Sequence, residues 1–231
     1  VAVDKFTDAA GNNNTASSTT TIAYDTQVPS VSSITASRST LKSWDTSVFT
    51  ITLSEASTNF VVGDVTFSGG TLSSFTGSGT SYSVVFTPTA NTQSGSGSVS
   101  VASGVFTDAA GNSNTASSAT TITYDTQAPT VSISASATTL KSGETSTLTI
   151  TLSEASTDFA VGDITVSGGT LSSFTGSGTS YSVVFTPTAD RSSGTGYALV
   201  LSGFLTDASG NNNSASTNTN FTYDTRVPTV S

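Results

Sequence analysis

The chain has 231 residues, a net charge of −9 and only six lysines and arginines, which argues against nucleic acid and anionic membranes as partners. It contains no cysteine and no histidine, which excludes disulfides, thiolate metal sites and a cysteine nucleophile and removes the commonest general base and zinc ligand. No apolar run approaches a membrane span, so membrane insertion is not expected, and no signal-like start is present, so any secretion signal would lie outside these residues.

Taken from its start, the chain first shows Phe6-Thr7-Asp8-Ala9-Ala10-Gly11-Asn12, which returns as Phe106-Thr107-Asp108-Ala109-Ala110-Gly111-Asn112. Residues 1–24 therefore read as the last two strands of a repeat, and with methionine absent the chain is expected to be a piece of a longer protein. The joint Tyr24-Asp25-Thr26-Gln27-Val28-Pro29 follows, and it recurs at Tyr124-Asp125 and at Tyr223-Asp224. A fixed period of this size is one small domain per repeat. The units are 25–124 and 125–223, with 224–231 opening the next joint. Each is long enough to bury its own core.

Within the first unit, period-2 alternation predicts seven strands. Strand A lies near 30–36, and Lys42-Ser43-Trp44-Asp45 is a turn. Strand B carries Phe49, Ile51 and Leu53, and Glu55 to Gly63 is a loop. Strand C carries Val65 and Phe67, and strand D Leu72 and Phe75. After a Gly77-Ser78-Gly79 hairpin, strand E carries Tyr82, Val84 and Phe86. Strand F carries Val99 and Val101, and strand G Ile122 and Tyr124. The second unit repeats this with Leu148, Ile150 and Leu152, Ile164, Tyr181, Val183 and Phe185, Val200, and Phe221 and Tyr223. Nothing of helical period and useful length appears. The reading is all-β: tandem seven-stranded antiparallel sandwiches of immunoglobulin type.

Most of the fifteen acidic residues recur from unit to unit. In this topology the joint and the B–C and F–G loops meet at one pole. Asp125, Glu154 and Asp207 with Asn211 should converge there, as should Asp25, Glu55 and Asp108 with Asn112 one unit earlier. Asp64 and Asp163 open strand C near the same pole. Three carboxylates so close repel strongly. A hard divalent cation resolves this, and calcium suits an oxygen-only donor set; without His or Cys, transition metals are disfavoured. A metal-free alternative stays open, because Asp-x-x-Gly is also a type I turn signature.

The combination Ser153-Glu154-Ala155, Phe159-x-x-Gly162-Asp163-Ile164-Thr165, Thr206-Asp207-Ala208-Ser209-Gly210-Asn211 and Tyr223-Asp224-Thr225-x-x-Pro228 resembles the bacterial immunoglobulin-like repeats of giant surface adhesins, the biofilm-associated and RTX types. The resemblance covers both units and the leading fragment. It implies extracellular tandem domains, at the bacterial surface or secreted, with calcium at the joints. The acidic positions Asp25, Glu55, Asp108, Asp125, Glu154 and Asp207 map onto those of the family, while Ser209 departs from its usual alanine.

The expected function is a structural extender with calcium-stiffened joints, its partners being neighbouring repeats of the same chain and, through other regions, further subunits or cell-surface ligands. Two alternatives are a filament subunit that donates the strands of residues 1–24 to a neighbour's sheet, and a glycan or cell-surface binding module using Trp44, the odd aromatic of the A–B turn. An enzyme is not expected: no histidine is available, and Lys42 and Lys141 sit in exposed-looking turns. No Gly-rich phosphate loop is present.

Overall fold

The computed structural model describes residues 1–230 and is built of β-structure, with two single 3₁₀ turns. In chain order the first unit holds β1 (Val31–Ala36), β2 (Thr40–Leu41), β3 (Ser47–Ser57), β4 (Val65–Ser68), β5 (Gly70–Pro88), β6 (Gly95–Val101) and β7 (Thr120–Tyr124). The second holds β8 (Val131–Ala135), β9 (Thr139–Lys141), β10 (Ser146–Ser156), β11 (Ile164–Ser167), β12 (Gly169–Pro187), β13 (Gly194–Val200) and β14 (Thr219–Asp224). Each unit packs a β1-β3-β5 type sheet against a β2-β7-β6-β4 type sheet, the second unit repeating the order as β8-β10-β12 and β9-β14-β13-β11.

β5 doubles back on itself. Thr76 and Ser83 bond through their hydroxyls at 2.9 Å, and a side chain at Gly77 would strike the backbone of Ser81 and Tyr82. The D–E hairpin expected at Gly77-Ser78-Gly79 is thus present inside one continuous run of strand. The turn at Lys42–Asp45 also forms, closed by the Asp45 amide on the Lys42 carbonyl at 3.1 Å.

Strand alternation builds both cores. β10 alternates buried and exposed at every residue from Ser146 to Ser156, so Leu148, Ile150 and Leu152 face inward and the Ser and Thr between them face water. The two cores exchange bulk across the sandwich. Phe49 on β3 and Ile122 on β7 share the first core; Leu148 on β10 and Phe221 on β14 occupy those places in the second, and all four are buried. Volume is kept while the aromatic changes strand, the kind of swap a core tolerates best. In the second core Phe221 stacks on Phe185 at 4.3 Å.

Three expectations need correction. Glu55 and Glu154 lie on strands, not loops, since β3 and β10 run on to Ser57 and Ser156. The short strands β2 and β9 were missed; they pair in parallel with β7 and β14 and are too brief to show a period. Residues 1–24 do not form strands. Their turn closes with a single bridge between Thr7 and Asn13, while Ile22 and Tyr24 stay 84% and 86% exposed where Ile122 and Tyr124 are buried. Strand signals need a sheet to pair with, and none stands beside this segment.

Candidate metal centre

The F–G turn is specified locally. Asp207 Oδ1 accepts the amides of Ser209 at 2.8 Å and Asn211 at 2.9 Å, and Oδ2 accepts the Asn211 side-chain amide at 2.9 Å. Gly210 at φ +83° lets the chain turn back, which a side chain would resist. Asp108 makes the same three bonds. Asp8 makes them too, with no sandwich around it. The metal-free reading of Asp-x-x-Gly is therefore realised as a turn at all three places. Hydrogen bonds to the ionised form outweigh the desolvation at Asp108, so its carboxyl titrates below the ordinary aspartate range.

The joint brings the second carboxylate. The Asp125 amide donates to Leu41 O at 3.0 Å, so the joint stays on the edge of the first sandwich. Thr126 is buried, and its hydroxyl donates to Thr89 O at 2.7 Å while its amide donates to Thr92 O at 2.8 Å. Asp125 Oδ1 accepts the Gln127 amide at 3.1 Å. Gly95 helps to seat the joint from below: a Cβ there would overlap the Tyr124 ring.

The third carboxylate comes from strand period. Glu154 falls two residues after Leu152, on the inward face of β10, and is only 9% exposed. Its Oε1 is buried and has no hydrogen-bond partner, and the same holds for Glu55 Oε1. Desolvation, then the charges of Asp125 and Asp207, push the Glu154 carboxyl up, and the Gln93 amide of the preceding domain offsets part of this. Desolvation, Asp25 and Asp108 push Glu55 up likewise.

Asp125, Glu154 and Asp207 present carboxylate oxygens that all lie within 4.8 Å of one another, and Asp25, Glu55 and Asp108 do the same. Among the described residues the one ion pair is Arg38–Asp45 at 2.9 Å, so no lysine or arginine neutralises either cluster.

The other predicted positions do different work. Asn112 and Asn211 bridge, using their side-chain amide hydrogens on the turn aspartate and on the joint carbonyl, Asp25 O at 3.2 Å and Asp125 O at 3.1 Å. Asp64 and Asp163 lie in neither cluster; each accepts a backbone amide, from Val61 at 2.8 Å and Ala160 at 2.7 Å, and so closes the 3₁₀ turn before strand C. The sequence offered no signal for Gln93, or for the turn of the first sandwich that reaches across the joint. The Ser43 amide donates to Asn211 Oδ1 at 2.7 Å and Lys42 Nζ to Gly210 O at 2.9 Å. Ser209 departs from the usual alanine, and its hydroxyl donates to Asp125 Oδ2 at 2.9 Å. A serine replacing the Ala10 and Ala110 of the sister turns was the available clue.

The family model of the bacterial Ig-like domain matches residues 25–124 and again 125–223. The chain belongs to this family. No curated protein matches it in sequence. Solved structures similar to this tandem of bacterial Ig-like domains include the adhesin InvE of Yersinia pseudotuberculosis, 19% identical over 83% of this chain and 58% of that one, TM-score 0.32. Others are the Escherichia coli adhesin FdeC, 18% identical over 84% and 63%, TM-score 0.46, and the I9-I11 tandem of titin, 9% identical over 85% and 66%, TM-score 0.34. The chain thus spans 58% to 66% of the length of these structures. No helix among the described residues is long and apolar enough to cross a membrane.

Proposed function

We propose that the chain is an extracellular spacer of a bacterial surface adhesin, whose tandem Ig-like domains are held in line by calcium at each joint. The observation that carries this is the Glu154 Oε1, buried without a partner inside a triangle of carboxylates. An unpaired buried carboxylate oxygen costs free energy, and two further negative charges beside it add to the cost. A hard cation offsets both terms, and carboxylates from the joint, from β10 and from the F–G turn form the oxygen-rich set that calcium accepts. When bound, calcium would supply the positive charge that lets Asp125, Glu154 and Asp207 stay ionised together, and Asp25, Glu55 and Asp108 would hold a second ion.

The residues around the centre suit a joint that bears on shape. Asp125 belongs to the linker, Glu154 and Asp207 to the following sandwich, and Lys42 and Ser43 of the preceding sandwich already touch the F–G turn. An ion shared by linker and domain removes the remaining freedom of the hinge.

The test is calcium titration by calorimetry, joined to small-angle scattering and thermal melting with calcium and with chelator. The expected result is saturable heat, a longer and narrower particle and a higher melting temperature in calcium. Unchanged shape and melting would overturn the reading.

A further inference from the structure

We propose that the groove between the two sandwiches is a saccharide-binding site, with Trp44 as the stacking platform on its rim. The groove encloses about 560 Å³ at the joint, a size within the range of small-ligand pockets, which favour domain interfaces. Lys42 and Asp45 of the β2–β3 turn, Gln93, Tyr124, Asp125 and Ser209 all line it. These groups mix donors and acceptors and carry no excess of positive charge. They suit neither a phosphate nor an acyl chain. A ligand that offers many hydroxyls, each able to give and accept a hydrogen bond, fits them.

Trp44 stands on the same turn, between the lining residues Lys42 and Asp45. Its side chain is 99% exposed and touches nothing that would repay its placement. Its backbone is at φ +70°, in the left-handed region where a side chain is disfavoured. The sister turn of the second sandwich uses Gly143 at φ +80°. Folding therefore asks for glycine at this position and gains nothing from tryptophan. A flat apolar ring with one polar edge, held in water beside a hydroxyl-binding groove, is what the C–H face of a pyranose packs against.

The experiment passes the intact chain over immobilised neutral disaccharides of glucose, galactose and N-acetylhexosamine, by surface plasmon resonance, in calcium and in chelator. Binding to at least one of them is expected. W44G is expected to melt no lower than the parent, because it restores the residue the turn conformation prefers, and to weaken binding by about tenfold. W44F is expected to retain most of it. Absence of binding to every disaccharide, or binding unchanged in W44G, would overturn the proposal. Calcium heats measured on W44G are expected to match the parent, so a failure of this site and a failure of the calcium reading show up separately.

Discussion

The two carboxylate clusters use the same three residues, Asp, Glu and Asp, in the same order, yet they are not equally built. At the first joint Asp25 is exposed and Glu55 half-buried; at the second Asp125 is half-buried and Glu154 buried. Asn112 reaches Asp108 and the Asp25 carbonyl. Asn211 makes the equivalent bonds and also accepts the Ser43 amide from the sandwich behind it. Thr126 is buried against the preceding domain, while Thr26 is exposed. The difference is the neighbour. The sandwich behind the second joint adds the Ser43 and Lys42 bonds to the F–G turn, while the glutamate oxygen at the centre of each cluster stays unpaired. The site is thus half a property of the domain that carries it and half of the domain before it.

The largest expected effect separates the joints by their response to calcium. At a hundredfold excess over its dissociation constant, an ion bound only by the folded form adds about 2.7 kcal/mol. For a sandwich of this size that raises the melting temperature by about 10 °C or more. Calorimetry should resolve two sites, the tighter at Asp125, Glu154 and Asp207. Equal affinities would mean that the preceding sandwich contributes nothing.

Next comes Asn211→Ala, which strands the Ser43 amide, the Asp125 carbonyl and one oxygen of Asp207. It should cost about 2 kcal/mol in chemical denaturation. Asn112→Ala, with no partner in the preceding segment's turn, should cost visibly less.

Glu154→Gln should abolish the calcium heat of the second site while stabilising the metal-free protein by roughly 1 kcal/mol, since it removes a charge that burial and two aspartates oppose. The pH dependence has the matching sign. The Glu154 carboxyl is raised in the folded state, so the fold takes up its proton before the unfolded chain does. Metal-free protein should gain stability as pH falls through that raised value, and the gain should be complete near the ordinary glutamate value of about 4.3. Further acidification protonates Asp108 and also Asp158, which accepts the hydroxyls of Ser156 at 2.6 Å and Thr206 at 2.7 Å; both carboxyls are lowered, and stability should then fall. Melting temperature against pH in chelator checks both limbs.

The smallest effect is expected for Ser209→Ala, about 0.5 kcal/mol in metal-free protein, because it removes one exposed hydroxyl bond to Asp125. The reciprocal Ala110→Ser should do less still, as Asp25 is less firmly held.

Much of this was legible in the sequence because two periods are written plainly in it. Alternation of Leu148, Ile150 and Leu152 with threonines marks a strand that is half buried, and the recurrence of Tyr-Asp-Thr marks the joint. The meeting of Asp125, Glu154 and Asp207 followed from topology. The burial of Glu154 did not, although the same alternation carried two residues further would have placed it inward. Alternation also failed for residues 1–24, whose pattern is that of Phe106 to Tyr124 but whose pairing partners are not there. Contacts made by Lys42, Ser43 and Gln93 lay beyond reach because they depend on how one sandwich rests on the next, which no local pattern records.

The parallel pairing of β2 with β7, and of β9 with β14, has a mechanical consequence. In the second sandwich Thr139, Leu140 and Lys141 lie alongside Thr222, Tyr223 and Asp224. β9 stands near the entry of the chain and β14 at its exit, so tension along the molecule pulls these two strands past each other. Their hydrogen bonds are then loaded together in shear and must rupture as a set. The first sandwich carries the same clamp, with the Thr123 amide on Ser39 O at 2.9 Å and the Asp125 amide on Leu41 O at 3.0 Å, so each domain of the tandem meets a pull with the same shear-loaded pair.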